Sequence, residues 1–250
     1  MSEMPVSVLT VFAVAMLTAL ATGLGAMPFL FFPTVSRRWL SISNAVAAGL
    51  MLAASHSLIV EGNHYSLYKT LIGILIGMAV IAVSDRILEK RKDLHIGRLS
   101  GADGRKAILI LGVMTMHSFA EGVGVGVSFG GTEALGIMIS LVIAIHNIPE
   151  GLAISLVMVP RGTTIWKAAW WSVFSSLPQP LMAVPAYLFV SIFEPFLPIG
   201  LGIAGGAMIW MVFAELIPDA LRDASGHLVA TTVTISVVVM LAAQAMFFNL

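Results

Sequence analysis

Two stretches of the sequence share the pattern His-x-x-x-Glu-Gly, and each lies inside a long run of apolar residues. They are residues 117–122 (HSFAEG) and residues 146–151 (HNIPEG). Residues four positions apart lie on the same face of an α-helix, one turn from each other. Each pattern therefore places an imidazole beside a carboxylate in a region of low polarity, on what we expect to be neighbouring helices.

The four groups of these patterns have the chemistry of a site for a divalent cation. An ionisable group in the middle of a bilayer costs about 2.5–3.5 kcal/mol on insertion scales, so it requires a partner or a function. Imidazole nitrogen and carboxylate oxygen bind zinc, and also iron, cobalt or manganese. Because the chain has no cysteine, a thiolate site is excluded. The predicted ligands are His117, Glu121, His146 and Glu150.

A structural role is the alternative, in which each His–Glu pair forms a local hydrogen bond that holds helices together. Two nearby carboxylates repel each other, however, whereas a doubly charged ion neutralises both. The repetition of the pattern, each time followed by Gly, favours the metal. Pro149 predicts a kink beside the second pair, because proline cannot donate to the carbonyl of Ile145.

The composition indicates that these helices lie in a membrane. Hydrophobic residues make up 58% of the 250 residues, charged residues make up 10%, and the formal net charge is zero. A soluble domain carries roughly 25% charged residues. Most classes of soluble enzyme are therefore excluded, and the lack of a basic surplus argues against binding to nucleic acid. Residues 1–7 contain no Lys or Arg, so we expect the first apolar run to be retained rather than cleaved as a signal peptide.

The apolar runs predict an all-α membrane protein with eight spans in a single integral membrane domain over residues 1–250. A span needs about 20 apolar residues, and only the connection at 89–104 is long enough to be a flexible linker. The predicted spans are 6–32, 41–61, 67–88, 105–129, 134–159, 164–190, 196–219 and 228–249.

The basic residues predict the orientation of these spans. Every Lys and Arg except Lys69 falls in the first, third, fifth or seventh connection or beside it. Since basic residues accumulate on the cytoplasmic side, the 89–104 linker is expected in the cytoplasm. Both termini are expected on the other side, in the plasma membrane or alternatively in an organelle.

The two motifs on the fourth and fifth of eight predicted spans resemble those of the ZIP (Zrt-, Irt-like) family of divalent metal transporters. The resemblance covers nearly the whole chain. It implies a bundle of eight helices in which the first three and last three spans form an inverted repeat. It also implies a metal centre between the fourth and fifth helices, passage of Zn²⁺ or Fe²⁺ toward the cytoplasm, and often a homodimer.

The resemblance also implies roles for single residues. His117, Glu121, His146 and Glu150 match the family's primary metal site. A second, adjacent site of binuclear members corresponds here to Ser118, Asn147 and Gln179, and all three are neutral. We therefore expect one bound metal ion and not two. An alternative for Gln179 is that it bonds to backbone freed by the flanking prolines.

Two further residues are candidates for the transport path. Glu215 lies near the end of the seventh predicted span, in a sequence that resembles the family's Glu-x-x-Pro signature, and could receive the ion on its way out. The alternative is an acid at the membrane interface. His56 lies within the second predicted span and is either an extra ligand near the entrance or a residue that packs helices.

The sequence thus predicts a secondary transporter without a permanent cofactor, in contact with the lipid bilayer and carrying Zn²⁺, or alternatively Fe²⁺, Mn²⁺ or Cd²⁺. The chain contains no Gly-x-x-x-x-Gly-Lys-Ser/Thr motif for ATP. Two other functions stay open at this point. One is an intramembrane zinc-dependent hydrolase, and the other is a structural or receptor-like bundle that transports nothing.

Overall fold

Helices dominate the fold, as the apolar runs predict. The computed structural model describes residues 6–31, 36–90, 95–96 and 99–248. Its α-helices are α1 (Val8–Thr22), α2 (Pro28–Phe31), α3 (Arg37–Glu89), α4 (Gly101–Gly131), α5 (Glu133–Met158), α6 (Ile165–Ser176), α7 (Pro178–Leu188), α8 (Val190–Phe193), α9 (Leu197–Met211), α10 (Ile217–Ala220) and α11 (Gly226–Phe248). Short 3₁₀ turns follow α1, α5 and α8, and a π-helical turn, Val212–Leu216, joins α9 to α10.

Hydroxyl side chains start several of these helices. An oxygen side chain before the first turn accepts a hydrogen bond from a backbone N–H that has no partner within the helix. Thr132 caps α5 in this way, and its side chain accepts from the backbone nitrogen of Leu135. Ser7, Ser36 and Thr164 do the same for α1, α3 and α6. The cap at Thr132 fixes the start of the helix that carries the second motif.

Five helical segments in the described part of the chain are long and apolar enough to cross a membrane. They are Val8–Phe31, Arg37–Leu88, Ala107–Gly131, Glu133–Met158 and Glu194–Ala220, and the apolar part of α11, Gly226–Ala242, is shorter. The protein is therefore an all-α membrane protein, as predicted.

The second, third and sixth predicted spans do not appear as separate long helices. The second and third lie within α3, which is interrupted by the extended backbone of Ser66 (φ −167°, ψ 110°). The sixth is divided between α6 and α7 at Leu177, immediately before Pro178. The count of eight spans thus depends on whether α3 crosses twice and whether α6 and α7 cross together.

The predicted linker at 89–104 contains some regular structure. Strands β1 (His95–Ile96) and β2 (Leu99–Ser100) pair antiparallel, and α4 already begins at Gly101. The guanidinium of Arg105 donates to the carboxylate of Asp85 at 2.8 Å, which ties the start of α4 to the end of α3. Residues 91–94 and 97–98 of the linker lie outside the described part of the chain.

The glycine that ends each motif allows a neighbouring backbone to approach closely. A Cβ atom at Gly151 would lie 1.7 Å from the carbonyl oxygen of Thr22 at the end of α1. A Cβ atom at Gly122 would lie 2.5 Å from the carbonyl oxygen of Gln179 in α7. Small residues permit such contacts between membrane helices. The motif glycines therefore hold α1 and α7 against the two helices that carry the His and Glu residues.

We expect Gly151→Ala to destabilise the protein by about 3 kcal/mol or more, the upper end for overpacking, because the clash is with backbone and not with a flexible side chain. Gly112→Ala is the matched control, since a Cβ atom there meets nothing within 4 Å. Thermal unfolding of the purified protein in detergent measures both. A Gly151→Ala protein that unfolds at the wild-type temperature would show that the two backbones do not approach this closely.

Candidate metal centre

Three of the four predicted ligands meet at one point between α4 and α5. The imidazole of His117 places Nε2 3.1 Å from Oε1 of Glu121 and 2.5 Å from Oε1 of Glu150. Ligand atoms of the three residues all lie within 4.8 Å of one another, and each residue is only 1% exposed. The helical spacing within α4 and the packing of α5 against it thus bring one imidazole and two carboxylates together.

Several polar atoms of this His–Glu cluster (His117, Glu121 and Glu150) make no hydrogen bond to the other described residues. Nε2 of His117, Oε1 of Glu121 and Oε1 of Glu150 contact one another, while Nδ1 of His117 and Oε2 of Glu150 have no polar partner among the described residues. Buried polar atoms are almost always hydrogen-bonded, so such atoms require an explanation. The imidazole can offset at most one of the two carboxylate charges. A dication would bind the free oxygens and neutralise both carboxylates.

The fourth predicted ligand, His146, is also buried but lies outside the His–Glu cluster. Its Nε2 atom contacts the side-chain nitrogen of Gln244 in α11. Because an amide nitrogen only donates, Nε2 accepts this bond and its lone pair is occupied. Gln244 is itself fixed by the hydroxyl of Ser57 in α3, which donates to Oε1 at 2.8 Å. In this structure, therefore, the lone pair of His146 Nε2 is directed to Gln244 in α11 and not to the His–Glu cluster.

The three predicted second-site residues lie beside the cluster, and two of them form an amide network. Gln179 donates to Glu121 through Nε2 and accepts through Oε1 from Thr18 at 2.9 Å and from Asn147 at 3.1 Å. Asn147 also donates to the carbonyl oxygen of Thr18 at 2.6 Å. Gln179 thus bonds to side chains rather than to backbone freed by the flanking prolines. The hydroxyl of Ser118 is buried and has no hydrogen-bond partner among the described residues.

The two predicted path residues are not part of the His–Glu cluster. His56 has an exposed side chain on α3. Glu215 lies half-buried in the π-helical turn Val212–Leu216. A π-helical turn is frequent at functional sites, but the structure does not bring Glu215 to the cluster. The roles of both residues stay predictions.

Thr18 and Gln244 contact the predicted site residues but were missing from the sequence prediction. Threonine is common in membrane helices, so Thr18 gives no signal in the sequence. Gln244 does give one, because an amide in the last apolar run needs a partner. The helix α5 continues through Pro149, and the predicted kink stays a prediction.

We expect Gln179→Leu to destabilise the protein by about 1–3 kcal/mol, because it removes the donor to the buried oxygens Oε2 of Glu121 and Oδ1 of Asn147. Ser140→Ala is the control, because among the described residues the buried hydroxyl of Ser140 bonds only to its own helix, at the carbonyl of Gly136. Chemical or thermal unfolding in detergent compares the two. An equal effect of both substitutions would argue against a network that joins α1, α4, α5 and α7.

Comparison with known proteins assigns this chain to a family. A family model described as "ZIP Zinc transporter" matches residues 84–248, which include both motifs. A candidate zinc transporter of Arabidopsis thaliana is 47% identical over 249 residues, which are 98% of this chain and 40% of the relative. The zinc transporter GufA of Myxococcus xanthus is 31% identical over 83% of this chain and 87% of its own length.

A third relative, the zinc transporter ZIPB of Bordetella bronchiseptica, is 32% identical over 85% of this chain and 72% of its own length. The chain therefore spans less than half of the Arabidopsis protein but most of the two bacterial ones. The matches extend across the described helices as well as the two motifs. On these grounds, the chain belongs to the ZIP zinc transporter family.

Proposed function

We propose that the protein is a secondary transporter that carries a divalent transition-metal cation across a membrane toward the cytoplasm. Zinc is the first candidate, because the relatives are named zinc transporters, and the ligands also suit iron, manganese or cadmium. The observation that carries the proposal is the buried cluster of His117, Glu121 and Glu150. The metal is the transported substrate, and the protein is not an enzyme.

The cluster suits an ion that must bind and leave again. Its three residues offer one nitrogen and two carboxylates, while a closed structural zinc site has four protein ligands. His146 could supply a fourth ligand only after its bond to Gln244 is broken. A site with three ready ligands and a fourth held elsewhere can exist in a weaker and a stronger form, so that the ion can bind and leave again.

The proposed topology has eight spans in one transport domain, with both termini on the non-cytoplasmic side. The break at Ser66 allows α3 to cross the membrane twice, and α6 and α7 together have the length of one span. The distribution of Lys and Arg supports the orientation. An inverted repeat, a homodimer and a plasma-membrane location are proposed from the family resemblance alone.

Zinc uptake into vesicles that contain the purified protein tests this function. We expect Glu150→Gln to lower the initial rate of radioactive zinc uptake on the order of 100-fold, because it removes one of the two carboxylate charges that stabilise the ion. Glu133→Gln is the control: Glu133 is an exposed carboxylate at the start of α5, outside the cluster.

The other two functions predict different outcomes. A hydrolase would bind zinc without moving it, so the metal would be present and uptake would be absent. A structural bundle would contain no metal on elemental analysis. Uptake by wild type that Glu150→Gln leaves unchanged would refute the site proposed here.

The neutral residues beside the cluster lead to a prediction about stoichiometry. We expect one zinc ion per chain at low-micromolar free zinc, because Ser118, Asn147 and Gln179 contribute no charge to a second ion. Gln179→Glu adds a carboxylate next to Glu121 and should raise the stoichiometry toward two. Equilibrium dialysis with metal analysis measures both proteins. Two ions bound to the wild type would contradict the prediction.

A further inference from the structure

A cavity of about 80 Å³ adjoins one side of the His–Glu cluster. It lies between α3, α4, α5 and the start of α9, and we call it the α3–α4 cavity. Its polar lining consists of Ser57, Glu61, Tyr65, Glu121, Ser128 and His146. The remaining lining residues are apolar or glycine, and none of the lining residues is Lys or Arg. The cavity therefore connects the buried carboxylate of Glu121 with a second carboxylate, that of Glu61.

The polar residues of α3 form a stripe along this cavity. Ser57, Glu61 and Tyr65 are spaced four residues apart, so they lie on one face of the helix. Tyr65 immediately precedes the break at Ser66 and is 41% exposed. Ser57, at the other end, reaches Gln244, which contacts His146. The stripe thus runs from an exposed helix end to the buried site.

The residues of α4 that line the opposite side of the cavity also lead from the buried site toward a helix end. Glu121, Gly124 and Ser128 line the cavity at intervals of three and four residues, and α4 ends at Gly131. A Cβ atom at Gly124 would meet nothing within 4 Å, so α4 leaves space at this point. The chain connections at this end, after Tyr65 and after Gly131, belong to the side that we expect to face away from the cytoplasm.

Glu61 occupies a middle position in this cavity. Its side chain is half-buried, between the exposed Tyr65 and the fully buried Glu121. The Oε1 atom of Glu121, at the inner end, is buried and contacts the imidazole of His117 at 3.1 Å. An apolar wall strengthens the attraction between a carboxylate and a cation, because it excludes water from the space between them.

We propose that Glu61 is an entry site for the divalent cation, where the ion exchanges part of its water shell for a carboxylate before it reaches Glu121. This inference rests on the proposed transport function. Since Glu61 does not touch the ion in its final site, it alters how fast the ion arrives and leaves. The affinity of the His–Glu cluster changes little.

The rate of zinc binding to the purified full chain tests this proposal without requiring transport. In stopped-flow experiments with a fluorescent zinc indicator, we expect Glu61→Gln to slow association on the order of tenfold. Glu61→Asp keeps the charge and should restore most of the rate. Equilibrium affinity should stay within about twofold of wild type in both variants, since the contacts in the final site are unchanged. Glu133→Gln is the matched control for a carboxylate at the same end of the molecule.

Uptake kinetics provide a second readout that separates this proposal from the transport function. Glu61→Gln should raise the zinc concentration for half-maximal uptake while the maximal rate is retained. High salt should reduce the difference from wild type, because it screens the carboxylate. If Glu61→Gln binds zinc as fast as wild type, the proposed entry site is refuted even when transport is present. The same holds if Glu133→Gln slows zinc binding as much as Glu61→Gln does. If wild type takes up no zinc, the transport function fails and the association rates still decide the role of Glu61.

Discussion

The central constraint on this structure is the burial of two carboxylates beside one imidazole. Glu121 and Glu150 are each 1% exposed, and His117 contacts both. Moving a carboxylate from water into an apolar interior costs several kcal/mol unless the charge is balanced. One imidazole can balance only one of the two charges, so the arrangement favours a dication.

The surrounding helices hold this cluster differently on its two sides. On one side, Gly122 and Gly151 allow α7 and the end of α1 to approach at backbone distance, and Gln179 fixes one oxygen of Glu121. On the other side, the α3–α4 cavity leaves space next to the same carboxylate. Glu121 is therefore held by closely packed helices on one side and can be reached through the cavity on the other. This asymmetry gives the site a direction from which an ion can approach.

Spacing in the sequence was sufficient to predict which side chains lie beside each other on one helix. It was not sufficient to predict which side chains meet between helices. The interval of four residues correctly placed His117 beside Glu121 on α4. The same interval placed His146 and Glu150 on one face of α5, yet only Glu150 joins the cluster. A one-turn separation moves a side chain about 5 Å along the axis, and at that level α11 presents Gln244. Which neighbour meets a side chain depends on tertiary packing, and the helical period carries no information about it.

The charges along the α3–α4 cavity also explain how an ion could enter a buried site. A hydrated dication loses its water in steps, and each step needs an oxygen that replaces the lost water. Glu61 offers a single carboxylate with partial access to solvent, whereas the His–Glu cluster offers two carboxylates and a nitrogen without such access. Binding at Glu61 is necessarily weaker, because one carboxylate balances half the charge of the ion. An entry site must have this property, since an ion held as tightly there as at Glu121 would not move inward.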